Sequence, residues 1–146
     1  MYDLNHLAKH LRSASLNKKD APFIHLHEND QLISFEDFFQ NAEKIASALI
    51  SAGIRPGDRV AMQVEKSSSA LELYFGTILA GAGFLPLNTA YVAEEIDFFL
   101  RDARPSIFVC DPSKLDNYTK IAESSGVSHI WTLSADSTGS LIDAKN

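Results

Sequence analysis

Polar and apolar residues follow two periods along this chain, one typical of helices and one typical of strands. Over residues 3–15, apolar side chains recur at helical spacing, which predicts a first helix with one apolar face. That face comprises Leu4, Leu7, Ala8 and Leu11. Two short apolar runs within residues 21–34, separated by the polar residues 28–30, then predict a β-hairpin.

A longer helix is predicted to begin after Ser34. The Ser34 hydroxyl can accept a hydrogen bond from the backbone N–H of Asp37, and Asp37 stands where the acid of a capping box belongs. The apolar residues that follow keep the helical period: Phe35, Phe38, Ala42, Ile45, Ala46 and Leu49. Gly53 predicts the end of the helix, because glycine readily adopts the left-handed conformation that closes many helices.

Beyond this helix, short apolar runs alternate with helical segments as a repeated βα unit. Strands are predicted over residues 59–65, 83–87, 106–111 and 127–133, and helices over residues 70–81, 92–103 and 112–125. Strands separated by single helices predict a parallel sheet with helices on its faces. We therefore predict an α/β, doubly wound, mainly parallel sheet with an N-terminal helix and β-hairpin attached. The polar residues 134–146 are predicted to be a loop or linker.

Charge and cysteine content exclude several classes of protein. The 146 residues carry a formal net charge of −6, which argues against binding to nucleic acid or to an anionic membrane surface. The single cysteine, Cys110, excludes an internal disulfide and a cysteine-based zinc site, and fits a reducing compartment. The first residues lack a basic start and an apolar run, and no apolar stretch reaches about 18 residues. We expect a cytoplasmic protein without membrane insertion.

Two histidine pairs have spacings that could hold a metal ion. His6 and His10 stand four residues apart on one helix face, and His25 and His27 stand two apart on a strand. The first pair lacks the glutamate and third ligand of the metalloprotease pattern, and the second lacks a nearby acid or cysteine cluster. We favour solvent-facing histidines at both places and assign no metal site.

The best candidate for an anion site lies at residues 66–69 (KSSS), where a strand meets the start of a helix. This turn lacks the glycines that let a backbone approach phosphate, so helix capping is the favoured interpretation. Gly81 and Gly83 precede a strand, the reverse of the dinucleotide-binding order. Cys110 has no histidine placed near it by any motif, so we expect a structural cysteine. The acids Glu94, Glu95 and Asp97 are typical of a helix start.

Two stretches carry a more specific resemblance. Residues 34–38 (SFEDF) resemble the first core motif of the acyl-adenylate-forming superfamily, and residues 79–88 (LAGAGFLPLN) resemble its second. The turn into a strand from Gly53 to residues 57–61 (GDRVA) is similar to that superfamily's pattern. Within it, residues 64–67 (VEKS) and 86–91 (PLNTAY) look most like the malonyl-CoA synthetases.

The resemblance implies an ATP-dependent acid–thiol ligase that forms an acyl-AMP, releases pyrophosphate and transfers the acyl group to the thiol of CoA, with Mg²⁺ on the phosphates. The superfamily's phosphate loop, adenine-binding motif, ribose-binding Asp, carboxylate-recognising residues and catalytic Lys have no counterpart in these 146 residues. We therefore assign no catalytic, cofactor-binding or metal residue, and expect this stretch to bind no cofactor.

The sequence is interpreted as the N-terminal part of such a synthetase, inactive alone. Residues 1–133 form its first subdomain, with helix and hairpin at 1–34 and βα repeats at 35–133, and residues 134–146 lead towards the phosphate loop. Two alternatives stay open: a stand-alone binding or regulatory module that keeps the fold, and a generic nucleotide-binding domain, which the missing glycine loop disfavours. The expected partners are the remainder of a synthetase or a second copy. Self-association would use the helix at 70–81 and the cluster of Phe35, Phe38 and Phe39.

Overall fold

The N-terminal third forms a helix, a hairpin and a long helix. The computed structural model describes residues 5–146. Helix α1 spans His6–Ser15 and continues into a short 3₁₀ turn at Leu16–Lys18; strands β1 (Pro22–Leu26) and β2 (Gln31–Ser34) precede helix α2 (Phe35–Ser51). The strands pair antiparallel, and Asp30 in the hairpin turn has a φ of 56°. The predicted hairpin is confirmed.

The rest of the chain alternates strands and helices as predicted. In chain order these are β3 (Arg59–Gln63), α3 (Ser68–Leu79), β4 (Gly83–Pro86), α4 (Ala93–Ala103), β5 (Ile107–Cys110), α5 (Leu115–Ser124), β6 (His129–Thr132) and α6 (Ser140–Lys145). A 3₁₀ turn at Pro112–Lys114 leads into α5. Each strand is shorter than predicted, because flanking apolar residues such as Val64 and Leu133 are buried outside the hydrogen-bonded ladder.

The four later strands form one parallel sheet in the order β4-β3-β5-β6. Alternate residues of each strand point to opposite faces, so Val60 and Val109 join a core with α2, α3 and α6, whereas Ala61 and Phe108 join a core with α4 and α5. We call these the α2–α3 face and the α4–α5 face. Helices on both faces of a parallel sheet make the fold doubly wound α/β, as predicted.

The cap of α2 follows the predicted pattern. The Ser34 Oγ accepts a hydrogen bond from the backbone N–H of Asp37 at 3.0 Å and donates to the Asp37 carboxylate at 2.8 Å. Gly53 has a φ of 96°, so it provides the left-handed residue after the helix. Such a cap contributes about 1 kcal/mol to helix stability.

The predicted apolar face of α1 is wrong in part. Leu4 lies outside the described residues, and Leu7 and Leu11 are 46% and 42% exposed. The helix packs instead through Ala8, Arg12 and Ser15, which share another face. Arg12 forms an ion pair with Glu36 at 2.9 Å and lies 5.0 Å from the Phe39 ring centroid. The contact of α1 with α2 uses a guanidinium group. The spacing of apolar residues alone therefore predicted the wrong packing face for α1.

The prediction of a loop or linker at residues 134–146 is also wrong in its secondary structure. Residues 140–145 form α6, and Leu141 is fully buried in the core of the α2–α3 face. The tail is polar in composition, but one leucine reaching the core is enough to dock a short helix when hydrogen bonds hold its ends. The position of this segment before a phosphate loop remains a prediction.

The surfaces expected to seek a partner are covered within the chain. Phe38 and Phe39 are 2% exposed, because their rings pack edge-to-face with each other and both contact the Phe75 ring. Of the large apolar side chains of α3, Leu71 is the exposed one. Self-association therefore stays a prediction, and these surfaces no longer support it. Within residues 5–146, every helix is too short or too polar to cross a membrane.

Candidate functional site

The carboxyl edge of the sheet, between β3 and β5, is the place where this fold would be expected to hold a ligand. From β3 the chain crosses over one face to β4, and from β4 it crosses over the other face to β5, on the opposite side of β3. In open α/β sheets, ligands bind outside the strand carboxyl ends at this switch point. The residues placed here are Gln63 and Cys110, with the segments that follow them.

Gln63 lies at the centre of this edge of the sheet. It is the last residue of β3 and is fully buried. Its side-chain amide donates hydrogen bonds to the carbonyl oxygens of Asn88 at 2.8 Å and of Tyr91 at 3.0 Å. These bonds fix the loop at residues 88–91, which follows β4 and contains the end of the second core motif. A buried amide with both N–H groups bonded is inexpensive to keep inside a fold.

Lys114 closes the same loop from the other side. Its Nζ donates to the Thr89 carbonyl oxygen at 3.1 Å and to Gln63 Oε1 at 3.4 Å. Asp111 is engaged locally, because its carboxylate accepts hydrogen bonds from the backbone N–H and the hydroxyl of Ser113. The crevice is therefore occupied by the chain's own 88–91 loop, and its polar groups bond to one another.

Two titratable groups lie behind this cluster on the α4–α5 face. The pKa of the Cys110 thiol is raised to about 12, chiefly by burial and also by the neighbouring Asp111 carboxylate, with Lys114 opposing the change. Burial also raises the pKa of Tyr118, against a hydrogen bond from Gln63 that lowers it. At neutral pH the thiol is protonated and cannot act as a nucleophile. Cys110 is fully buried, and its structural role stays a prediction.

Residues 66–69 lie at the mouth of a groove of about 1050 Å³ between the hairpin, the start of α3 and the tail. The Ser67 Oγ accepts from the backbone N–H of Ala70 at 3.1 Å, so the predicted helix cap is confirmed. Four carboxylates and two ammonium groups line the groove: Glu28, Asp37, Glu72, Asp136, Lys66 and Lys145. This excess of acid opposes an anion at the helix start.

The histidine pairs do not form a metal centre in the described part of the chain. His6 and His10 are exposed on α1. The His25 and His27 rings are in contact, tilted by 46° with centroids 4.6 Å apart, and His25 Nε2 lies 2.6 Å from Asp30 Oδ1. No group of three or more potential ligands is present within residues 5–146.

The acids at the start of α4 act locally. The Glu95 carboxylate accepts a hydrogen bond from the backbone N–H of Val92 at 3.0 Å, and Asp97 forms an ion pair with Arg101 at 2.8 Å. Both contacts support the start of the helix, the role that the sequence interpretation gave to these acids.

Sequence reasoning missed the Gln63–Lys114 cluster and the buried pair of Glu72 with Lys145. Both had a signal in the sequence: Gln63 interrupts the apolar run RVAMQV, and Glu72 interrupts the apolar helix at 70–81. A polar residue within a buried element must find a partner. The partners, Lys114 and Lys145, come from 51 and 73 residues further along the chain.

Comparison with known proteins defines the family. Residues 11–145 match the family described as AMP-binding enzyme. The chain therefore belongs to the AMP-binding enzyme family. This agrees with the resemblance carried by the two core motifs.

The relatives include peptide synthetases and acyl-CoA ligases. Enterobactin synthase component F of Escherichia coli K12 is 29% identical over 102 residues, covering 70% of this chain and 8% of the relative. The mitochondrial medium-chain acyl-CoA ligase ACSF2 of Danio rerio is 35% identical over 81 residues, covering 56% of this chain and 13% of the relative. The chain thus spans a small part of these proteins.

Solved structures show the same arrangement of elements. MatB from Rhodopseudomonas palustris superposes with a TM-score of 0.82 and 42% identity over 92% of this chain and 27% of MatB, and an ATP-bound form of MatB matches equally well. An anthranilate CoA ligase superposes with a TM-score of 0.79 at 19% identity, which shows the shared fold.

Proposed function

We propose that this chain is the N-terminal part of an ATP-dependent acyl-CoA synthetase that converts malonate to malonyl-CoA in the cytoplasm. The observation that carries the proposal is the 42% identity to MatB over 92% of this chain and only 27% of MatB. The resemblance of residues 64–67 and 86–91 to malonyl-CoA synthetases supports malonate as the acid.

The proposed reaction has two steps. The acid carboxylate attacks the α-phosphate of ATP, pyrophosphate leaves, and an acyl-AMP results. The CoA thiol then attacks the acyl carbonyl and AMP leaves. Adenylation divides one difficult displacement into two easier ones, because AMP is a better leaving group than oxide.

The described residues offer no cradle that fits ATP or Mg²⁺. The groups at the sheet edge bond to the 88–91 loop, and the groove at the start of α3 is lined by more acids than bases. We therefore assign no chemical step to them. In the proposal, this part of the protein presents the 88–91 loop, anchored by Gln63, to a nucleotide site built by other residues.

A segment exchange tests the proposal. The equivalent N-terminal stretch of MatB is replaced by these 146 residues, and malonyl-CoA formation from malonate, ATP and CoA is measured beside unaltered MatB. We expect turnover within about tenfold of the parent, because the two stretches share the same fold and core motifs. The matched control replaces the same stretch with that of the anthranilate CoA ligase, which shares the fold at 19% identity. A folded chimera without malonate-dependent turnover would contradict the proposal.

The 146-residue chain by itself provides the second test. We expect no ATP–pyrophosphate exchange and an ATP affinity weaker than about 1 mM, equivalent to about −4 kcal/mol. Calorimetric titration that gave micromolar binding would instead support a stand-alone nucleotide-binding module.

A further inference from the structure

Helix α6, within the last thirteen residues, is held to the fold by hydrogen bonds at its first residue, Ser140. The Ser140 Oγ accepts from the backbone N–H of Thr132 at 2.9 Å, and the Ser140 N–H donates to the Thr132 Oγ1 at 3.0 Å. Gly139, with a φ of 126°, makes the turn between them, and a Cβ there would collide with the Thr132 carbonyl oxygen. The turn therefore returns α6 onto the edge strand β6 in one register.

An ion pair holds the other end of this segment. The Lys145 Nζ donates to Glu72 Oε2 at 3.1 Å, and the Asn41 side-chain amide donates to Glu72 Oε1 at 3.0 Å. The Lys145 and Glu72 side chains are 10% and 3% exposed. If α6 stayed docked without the Lys145 ammonium, the Glu72 carboxylate would be buried with an amide and no cation. A buried carboxylate that loses its cation is strongly destabilising.

Helix α6 also divides the surface of the α2–α3 face. On one side lies the groove of about 1050 Å³ beside the hairpin, and on the other a groove of about 880 Å³ lined by α2 and Trp131. Lys145 lines both, so the ion pair stands where they meet. Displacement of α6 would join the two grooves and uncover Leu141, which is fully buried when the helix is docked.

We propose that α6, within residues 134–146, is a strap, latched by the Glu72–Lys145 ion pair, which opens about Gly139 while the sheet stays folded. The strap is short, and its anchors are the hydrogen bonds between Ser140 and Thr132, the side chains of Leu141 and Ile142, and the ion pair, whereas the sheet beneath it is held by α2 and α3 as well. Elements with few buried contacts open at lower free energy than the core. The ion pair therefore makes the closed position of α6 depend on the charge of Lys145.

Hydrogen exchange on the intact 146-residue chain tests the strap. Lys145→Met removes the ammonium but keeps much of the side-chain volume. We expect protection of the Ile142 and Asp143 amides to fall about a hundredfold, because the closed state then buries an unpaired carboxylate. Protection of the β5 amides should change less than about threefold, since the sheet does not open with the strap. Both amides donate to the Gly139 carbonyl oxygen in the closed state, and a helix of six residues does not keep such bonds once it leaves the sheet.

Three further variants separate the latch from a general loss of stability. Glu72→Gln combined with Lys145→Met removes both charges, and we expect it to recover about tenfold of the lost protection. Lys145→Arg should keep most of it, and Lys120→Met, on exposed α5, should keep all of it.

Unchanged α6 protection in Lys145→Met would overturn the proposal. So would an equal loss in β5, or loss of the whole fold, because the strap would then not open separately. A double variant no better protected than Lys145→Met would show that the ion pair is not the latch.

Discussion

The two faces of the sheet differ in how deeply their helices are buried. Helix α3, on the α2–α3 face, packs against α2, α1 and β4, and eight of its twelve residues are buried. Helix α4, on the α4–α5 face, buries Ile96 and Leu100 and leaves Phe98 64% exposed. One face therefore covers its crossover helix on several sides, and the other leaves its crossover helix open to water on one side.

This difference explains the two sequence patterns. A helix covered on several sides keeps little polar surface, so α3 is apolar nearly all round, and its only buried charge needs a cation from α6. A helix that faces water on one side keeps a polar face, as α4 does. The pattern of a helix thus indicates how much of it the neighbouring elements cover, as well as where it lies.

The largest expected effect comes from equal deletions on the two faces. Leu73 in α3 and Leu100 in α4 are both fully buried. We expect Leu73→Ala to lower the free energy of unfolding by about 4 kcal/mol and Leu100→Ala by about 2.5 kcal/mol, because α4, with one side in water, can shift to fill the cavity more easily than α3, which α1, α2 and β4 hold. Urea unfolding of both variants measures the difference. Equal losses would contradict this comparison of the two helices.

The second expected effect concerns the contact between α2 and α3. Gly76 lets the two helices approach so closely that an added Cβ would lie 2.8 Å from the Ala42 carbonyl oxygen and 2.9 Å from Ile45 Cγ2. We expect Gly76→Ala to cost about 3 kcal/mol in unfolding free energy, since a backbone must move. Gly83→Ala is the matched control, because Gly83 is exposed and the atoms nearest to an added Cβ there would be 3.7 Å away. A near-neutral Gly76→Ala would show that the helices can separate at no cost.

Much of the fold was predictable because its signals are local. The Ser34 cap, the Gly53 end of α2 and the strand–helix alternation each depend on neighbouring residues, and the structure has all three. The docking of α1 and α6 was not predictable in this way. Arg12 finds Glu36 and Phe39, and Lys145 finds Glu72, only after distant segments have met.

The candidate site was predictable only as far as its position. The order of strands and helices places ligands at the carboxyl ends of β3 and β5, but it does not say that Gln63 and Lys114 bond to the 88–91 loop there. Conversely, residues 66–69 were the best candidate for an anion site, with helix capping favoured, and the charge of distant acids in their groove, such as Asp136, is not visible in a local motif. Both the bonding at the sheet edge and the acidic lining of the groove depend on polar residues that are distant in the sequence.

The third expected effect is a loss of stability at alkaline pH that originates on the α4–α5 face. Burial raises the pKa of Cys110 from its usual 9.0 to about 12, so the unfolded chain loses the thiol proton first as the pH rises. The stability from the buried thiol is whole below pH 9 and is lost between pH 9 and 12, by about 1 kcal/mol per pH unit. Tyr118, whose pKa is also raised, acts in the same direction at higher pH.

Urea unfolding at pH 8, 9 and 10 measures this slope, with Cys110→Ala as the control that removes the thiol. We expect the variant to be less stable at pH 8 and to lose less stability between pH 9 and 10. A parallel pH dependence in the two proteins would contradict a buried thiol as its source.

The smallest expected effect is a gain in stability at the end of α4. Helices α2, α3 and α5 are each followed by a glycine with positive φ, at Gly53, Gly81 and Gly126, whereas α4 is followed by Arg104 with a φ of 48°. A side chain in this conformation is strained, and glycine removes the strain at some cost in unfolded-state entropy. We expect Arg104→Gly to raise the unfolding free energy by about 0.5 kcal/mol, with Gly53→Ala lowering it by about 1 kcal/mol as the reciprocal change on the α2–α3 face. Because Arg104 is exposed, its substitution removes little packing. Thermal unfolding measures the change, and a loss of stability would show instead that the Arg104 side chain supports the α4–α5 face.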